Sequence, residues 1–197
     1  MEETIQSNTQ GFSLQSLKML TTPEQIIDYC NQTLGSNKIA EKQGRAIYKI
    51  ESGKVIKVAL NSVGLNHNYA EIVMCKTPEN ANICPRVYDF SNENMWIVAE
   101  ETAQVTASSF QSLAGMPWNE FVFAIGGAFT RSLSDPSKGE IRQHQLAFDK
   151  HYANQFFRRV VNLLKDCNGD PKNVTKLDSW GTTRGLLVIV DFSLTEN

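Results

Sequence analysis

The sequence is poor in cysteine and histidine, the residues from which zinc and redox sites are usually built. Its four cysteines and three histidines are scattered along the chain: Cys30, Cys75, Cys84, Cys167, His67, His144 and His151. None of them stands at the spacing of a zinc-binding set or a reactive dithiol pair. We therefore expect reduced, structural thiols in a cytosolic compartment and histidines with surface or capping roles.

Long apolar runs and a dominant sign of charge are also missing. The chain has 19 basic and 21 acidic residues, a net charge of -2, which gives no indication of nucleic acid or a membrane surface as a partner. No apolar run approaches the ~20 residues that cross a bilayer, and the acidic residues 1–4 are not typical of a secretory signal. With 197 residues, of which 41% are apolar, we expect an ordinary globular chain of one domain or two small lobes.

The first half of the sequence alternates between helical and β patterns, punctuated by turn and capping residues. After an irregular start to about residue 18, Thr22 and Pro23 predict the start of a helix that ends at Gly35. The next predicted elements are strands over 46–50 and 55–60, a helix over 65–76, and strands over 86–90 and 95–100. They predict an antiparallel sheet with one inserted helix for residues 40–101.

The second half is predicted to be mostly helical. A helix begins at Pro117 and runs to Leu133, with Gly126-Gly127 in its middle, a pair that indicates close packing. The longest predicted helix covers 141–166, and a last apolar strand covers 186–192. These patterns predict a helix and a β-rich lobe in residues 1–101, and a helical lobe ending in a strand in residues 102–197.

Lys57 is a charged residue inside an otherwise apolar strand. Alternate strand residues share a face, so Lys57 lies with Val55 and Ala59. A lysine is costly to bury unless it is paired, and Glu71 on the following helix is the natural partner. The spacing alone leaves two interpretations open. Lys57, oriented by Glu71, holds phosphate oxygens, or it extends along an exposed sheet face while Glu71 is solvated.

The order of the elements resembles the protein kinase-like fold, and most closely the small kinase-like proteins encoded by bacterial viruses. The segments that carry the resemblance are residues 44–48, 53–61, 64–71, 95–100, 180–181 and 188–192. The likeness extends over residues 40–101 and 178–195. It implies an α+β fold with a small antiparallel β lobe, one inserted helix and a reduced, mostly helical second lobe.

The resemblance also implies roles for particular residues. Lys57 would pair with Glu71 and grip the nucleotide phosphates, and Asp191 would hold magnesium. The segment 96–101, which includes Glu100, would be the hinge whose backbone meets adenine. The cofactors that follow from these roles are ATP and magnesium.

Several residues depart from the kinase pattern. The segment 39–46, which would cover the nucleotide, has a single glycine, although backbone that approaches phosphate usually needs several. No His-Arg-Asp catalytic loop is present, which leaves only Asp170 and Asp178 as candidate catalytic residues. Ser193 stands where the family has the glycine of its metal-binding motif. Because the sequence ends at Asn197, we expect neither an activation segment nor a helical platform for a peptide substrate.

We therefore expect a degenerate kinase-like protein of a bacterial virus, a pseudokinase that binds a protein partner or serves as a virion accessory. It would be found in the cytoplasm of the infected host or associated with the virion. The alternative is a minimal phosphotransferase that uses ATP and magnesium, whereas ordinary protein kinase activity is not expected.

Overall fold

The structure, a computed structural model, describes residues 11–129 and 138–190. The fold is α+β with antiparallel sheets. Its helices are α1 (Leu14–Lys18), α2 (Pro23–Leu34), α3 (Ser62–Lys76), α4 (Ala107–Ala114), α5 (Trp118–Ala128), α6 (Lys138–His151), α7 (Gln155–Asp166) and α8 (Pro171–Val174). Its strands are β1 (Lys38–Lys42), β2 (Arg45–Glu51), β3 (Lys54–Ala59), β4 (Val87–Phe90), β5 (Trp96–Glu100), β6 (Ala103–Gln104), β7 (Trp180–Thr183) and β8 (Leu186–Ile189).

The chain divides into two units. The first contains the described residues up to Val73 together with Arg86–Glu101, and the second contains Met74–Pro85 together with the described residues from Thr102 onward. The sequence-based division placed Met74–Pro85 in the first lobe, whereas in the structure this segment groups with the second unit. Within the described ranges, none of the helices combines the length and the apolar character that crossing a bilayer requires.

The first unit is a five-stranded antiparallel sheet in the order β1-β2-β3-β5-β4. Both predicted hairpins and both predicted helices of this region are present. Helix α2 begins as expected, with Pro23 at its first turn and the Thr22 hydroxyl accepting from the Gln25 N–H.

Apolar side chains cover both faces of this sheet. On one face Ile26, Cys30 and Leu34 of α2 join a cluster with Ile56 and Val58 of β3. A second cluster brings the α3 residue Ile72 together with sheet residues of β2, β3 and β5: Ile47, Val55, Ile97 and Ala99. The alternation of β3 side chains therefore gives each face its own core, and Lys57 belongs to the face that carries Val55.

Two elements of the first unit were not predicted. Strand β1 occupies part of the segment that we expected to form a nucleotide-covering loop, and it leaves only Gln43 and Gly44 to turn the chain into β2. Its sequence is half polar because it is an edge strand, so its apolar signal is weak. The short helix α1 lies in a region expected to be irregular, and Ser13 caps it by accepting from the Ser16 N–H.

The second unit combines helices with a three-stranded antiparallel sheet in the order β6-β7-β8. Only its last strand was predicted, and β8 covers Leu186–Ile189 of the expected range. The core is aromatic: the Phe110 ring lies 5.0 Å from Phe121 and 5.4 Å from Trp180, measured between ring centroids. The Trp180 indole donates to the Val174 carbonyl oxygen at 2.9 Å, which ties the sheet to α8.

The expected single helix over 141–166 is wrong, because the chain breaks between α6 and α7. Asn154 caps α7 by accepting from the Phe157 N–H, and its side-chain amide donates to the Ala114 carbonyl oxygen at 2.9 Å. An asparagine that caps a new helix competes with continuation of the old one. The other predicted helix of this half begins at Trp118 as α5 but ends at Ala128, so its predicted continuation through Phe129 is wrong. The predicted end at Leu133 lies outside the described residues.

The predicted close packing at Gly126-Gly127 is confirmed. A Cβ atom on Gly126 would overlap the His144 ring, and one on Gly127 would overlap the His144 carbonyl oxygen, both inside the 3.0 Å that Cβ atoms keep from other atoms. Only glycine lets α5 and α6 approach this closely.

Candidate functional site

Lys57 and Glu71 form a buried ion pair in the first unit. Strand β3 carries Lys57 between β2 and β5, where it lies opposite Ile47 and Ile97. Helix α3 follows directly and carries Glu71. The Lys57 Nζ lies 2.7 Å from Glu71 Oε2 and 2.8 Å from Oε1. The predicted pair is therefore present, and the alternative of an exposed lysine is wrong, because Lys57 is only 5% exposed.

Arg45 is a third member of this cluster, which sequence analysis missed. It is the first residue of β2 and has no exposed surface. Its Nη1 lies 2.5 Å from Glu71 Oε1 and 3.5 Å from the Asn68 side-chain oxygen. The alternation of side chains along β2 could have identified Arg45. Arg45 stands two residues before Ile47, so it shares the face of the sheet from which Lys57 projects.

Glu71 is held in its ionised form. Burial by itself would raise the pKa of this carboxyl, but the charges and hydrogen bonds of Lys57 and Arg45 outweigh burial and lower the pKa below its usual value. One carboxylate thus joins β2, β3 and α3. Asn68 extends the cluster, because its amide donates to the Asn94 carbonyl oxygen at 2.8 Å.

The turn between β1 and β2 is fixed against the start of α3. The Leu60 N–H donates to the Gly44 carbonyl oxygen at 2.7 Å. A Cβ atom on Gly64 would overlap that oxygen, and one on Gly44, whose φ is +68°, would overlap the Asn61 side chain. Asn61 in turn accepts from the Gly64 N–H at 3.1 Å. The segment expected to cover a nucleotide is therefore a tight turn packed backbone to backbone on a helix.

The predicted adenine hinge coincides with an interior strand. β5 pairs with β3 on one side and β4 on the other. The Glu100 N–H donates to the Arg86 carbonyl oxygen at 2.8 Å, and the Glu100 carboxylate accepts from the Arg86 N–H at 3.2 Å. The Glu101 N–H donates to the Gly53 carbonyl oxygen at 2.8 Å. An adenine contact through either N–H would require one of these bonds to break.

Of the three aspartates expected to serve catalysis or metal binding, Asp191 lies outside the described residues, and the other two belong to the second unit. Asp170 caps α8, since its Oδ1 accepts from the Lys172 N–H at 2.9 Å, and Asp178 is exposed in a short turn of 3-10 helix at Leu177–Ser179. Their predicted roles stay predictions.

A magnesium site would need several oxygen ligands. Within residues 11–129 and 138–190, no group of three or more His, Cys, Asp or Glu side chains is placed to hold a metal ion. A phosphate at Lys57 would have to share its ammonium group with both oxygens of Glu71. The described residues therefore provide one feature of the kinase pattern, the buried lysine–glutamate pair, and add to it an arginine.

No protein-family model matches the chain, and no curated protein is significantly similar to it.

Proposed function

We propose that this chain is a kinase-like module that binds a protein partner and does not transfer phosphoryl groups. The observation that carries the proposal is the enclosure of the Lys57 ammonium group, whose side chain is 7% exposed. An ammonium group has three donors, and contacts to Oε1 and Oε2 of Glu71 use two of them. A phosphate oxygen would therefore have to compete with Glu71 for this ammonium group.

The turn at Gln43-Gly44 supports the same conclusion. Phosphate is covered most closely by flexible backbone that presents several N–H groups. Here the Gly44 carbonyl oxygen accepts from the Leu60 N–H, and the backbone of Gly44 packs on Gly64. Movement of this turn toward a ligand would separate it from α3. The Glu71 cluster (Arg45, Lys57 and Glu71) and this turn therefore both hold α3 against the sheet.

A binding role fits the outer surface of the first unit. The edge strand β4 exposes Tyr88 and Phe90, at 47% and 38%, and exposed aromatic side chains are enriched in protein interfaces. On the resemblance to proteins of bacterial viruses, the partner is a protein of the virion or of the infected cytoplasm.

The second candidate is a minimal phosphotransferase that uses ATP and magnesium. It is favoured by the Lys57–Glu71 pair itself, which has the arrangement expected of a lysine that positions phosphates. The two candidates differ in whether nucleotide binds and in whether phosphate moves.

Two measurements separate them. A ligand that binds only the folded state stabilises it by RT ln(1 + [L]/Kd), about 2.7 kcal/mol at 100 Kd, so thermal unfolding with ATP and magnesium reports binding. Radiolabelled ATP reports transfer to the chain itself or to a partner. We expect neither a rise in melting temperature nor transfer.

The matched variants are Lys57→Ala, Asp191→Ala and Lys49→Ala. Lys49 is a lysine of the neighbouring strand that pairs with Glu101 near the surface and serves as the control. Transfer that Lys57→Ala and Asp191→Ala abolish, and Lys49→Ala preserves, would replace the binding proposal by the phosphotransferase.

A further inference from the structure

Helix α6 of the second unit is covered on one side only. Its half-buried residues recur at helical spacing and mark the side that packs on α5: His144, Ala147, Phe148 and His151. The close approach of His144 to Gly126 and Gly127 fixes this orientation. Every other residue between positions 141 and 151 is exposed.

Arg142, Leu146 and Asp149 form a stripe along the outer side of α6. With 3.6 residues per turn, the three positions fall within about 60° of one another and about 180° from His144 and His151. The stripe therefore points directly away from α5. Its central residue, Leu146, is 60% exposed, a high value for a large apolar side chain.

The two ends of the stripe carry opposite charges that cannot satisfy each other within one helix. Arg142 and Asp149 are seven residues apart, which is about 10.5 Å along the axis. The Asp149 carboxylate accepts from the Gln145 side-chain amide at 3.1 Å, and Arg142 forms no ion pair with another described residue. Lys150, by contrast, pairs with Glu120 of α5.

A second copy of the helix, packed antiparallel, matches this stripe. Positions 142 and 149 are equally far from the midpoint between Gln145 and Leu146. A two-fold axis at that midpoint would place Arg142 of each copy opposite Asp149 of the other, because a two-fold interface repeats each contact twice. The two Leu146 side chains would meet beside the axis. A parallel pair in register would instead oppose like charges.

We propose that the outer stripe of α6 is the interface of a weak, reversible homodimer in which two copies of this helix pack antiparallel. Leu146 supplies the apolar contact at the axis, and the two Arg142–Asp149 pairs set the direction and the register. The helix has 14 residues and is about 21 Å long, so the contact is smaller than a standard interface. This inference depends neither on the Glu71 cluster nor on the function proposed above.

Sedimentation velocity of the full chain tests the association. We expect a monomer–dimer equilibrium that becomes visible at protein concentrations up to about 1 mM, where even a millimolar Kd is detected. Added salt should shift the equilibrium toward the monomer, because exposed ion pairs are screened.

Charge reversal tests the register. Arg142→Glu and Asp149→Arg each place like charges opposite one another at both pairs, so each variant alone should raise the dimer Kd tenfold or more. A mixture of the two variants has opposite charges at both pairs again. We therefore expect the mixture to form a heterodimer with nearly the wild-type Kd, and the double variant to form a homodimer.

Two further variants separate this interface from general charge effects. Arg159→Glu makes the same change of net charge at an exposed position of α7 and should leave the Kd unchanged. Leu146→Ala removes the apolar contact at the axis and should raise the Kd about tenfold. A circular dichroism melt of each variant shows whether it is folded.

A chain that stays monomeric over the whole concentration range would overturn the proposal. So would single reversals that leave the dimer intact, a mixture that does not recover association, or an Arg159→Glu variant as weak as Arg142→Glu. If a reversed variant does not fold, Leu146→Ala decides, and a dimer unaffected by that substitution would place the interface elsewhere.

Discussion

Arg45 and Glu71 meet inside the first unit, with Nη1 2.5 Å from Oε1 and no part of Arg45 exposed. The arginine comes from the beginning of β2 and the glutamate from the second half of α3. Because Lys57 binds the same carboxylate, one side chain fixes the helix to two neighbouring strands. The stability of the fold should therefore depend on the charge of Glu71.

Glu71→Gln should destabilise the fold strongly. The substitution keeps the shape but removes the charge that Glu71 supplies to the buried Arg45 and Lys57, and breaking a buried pair costs about 3–5 kcal/mol. Urea unfolding measures the loss. The control is Glu41→Gln, which breaks the exposed pair with Lys38 and should change stability little. Equal effects of the two variants would contradict a structural role for the Glu71 cluster.

Glu71 should also make the fold sensitive to acid. Its pKa is lowered in the folded state, chiefly because Lys57 and Arg45 outweigh the opposing effect of burial. The unfolded chain, with a carboxyl pKa of about 4.3, therefore binds more protons, and the free energy of unfolding falls as the pH drops. The contribution of Glu71 to the free energy of unfolding is complete at pH values above the pKa of the unfolded chain. It is lost as the pH falls through the lower pKa of the folded state.

Unfolding measured from pH about 7 down to about 3 checks this dependence. We expect Glu71→Gln to show a shallower fall in stability in the acid range than the wild-type chain. Glu41→Gln should follow the wild-type curve. Parallel curves for the wild type and Glu71→Gln would be inconsistent with a lowered pKa at this residue.

Gly64→Ala should disrupt the contact between α3 and the β1–β2 turn. The added Cβ atom would overlap the Gly44 carbonyl oxygen, a backbone atom that cannot rotate away, and overpacking of this kind costs about 1–3 kcal/mol. Gly35→Ala is the matched control, since its Cβ atom meets nothing within 4 Å and its φ of -54° suits alanine. We expect that variant to be as stable as the wild type or slightly more stable.

Asn154→Ala should weaken the start of α7. Asn154 accepts from the Phe157 N–H and donates to the Ala114 carbonyl oxygen. Loss of a capping side chain costs about 0.5–2 kcal/mol, so thermal unfolding should occur at a lower temperature. Asn162→Ala, at an exposed position of the same helix, is the comparison and should have almost no effect. An equal loss in both variants would argue against the cap.

The sequence predicted the Lys57–Glu71 pair because both residues interrupt apolar patterns, and a buried charge needs a partner. It did not lead us to Arg45, because the predicted strand began one residue later and that arginine therefore fell in the loop. Strand β1 was not predicted either, because its polar edge residues lack the alternation of an interior strand. Strand boundaries at sheet edges depend on tertiary pairing, which periodicity does not report.

The break between α6 and α7 was missed for a different reason. Apolar residues continue at helical spacing across Tyr152, and nothing in that spacing marks the interruption. The capping role of Asn154 depends on a partner at Ala114, forty positions earlier. Helical periodicity records which face is buried, whereas the place where a helix stops can depend on a distant contact. Lys57 and Glu71 come from neighbouring elements, and their pairing is the part of the described site that the sequence predicted.

The grouping of Met74–Pro85 with the second unit has a consequence for how the chain acquires its structure. The Ile189 N–H donates to the Ile83 carbonyl oxygen at 2.9 Å, so a segment from the first half of the chain is hydrogen-bonded to β8. During synthesis this segment leaves the ribosome before the residues it will pair with exist. Cutting the chain after Glu101 would leave Met74–Pro85 in the fragment that cannot use it. Two fragments made by a cut at that point would therefore divide the residues of the second unit between them.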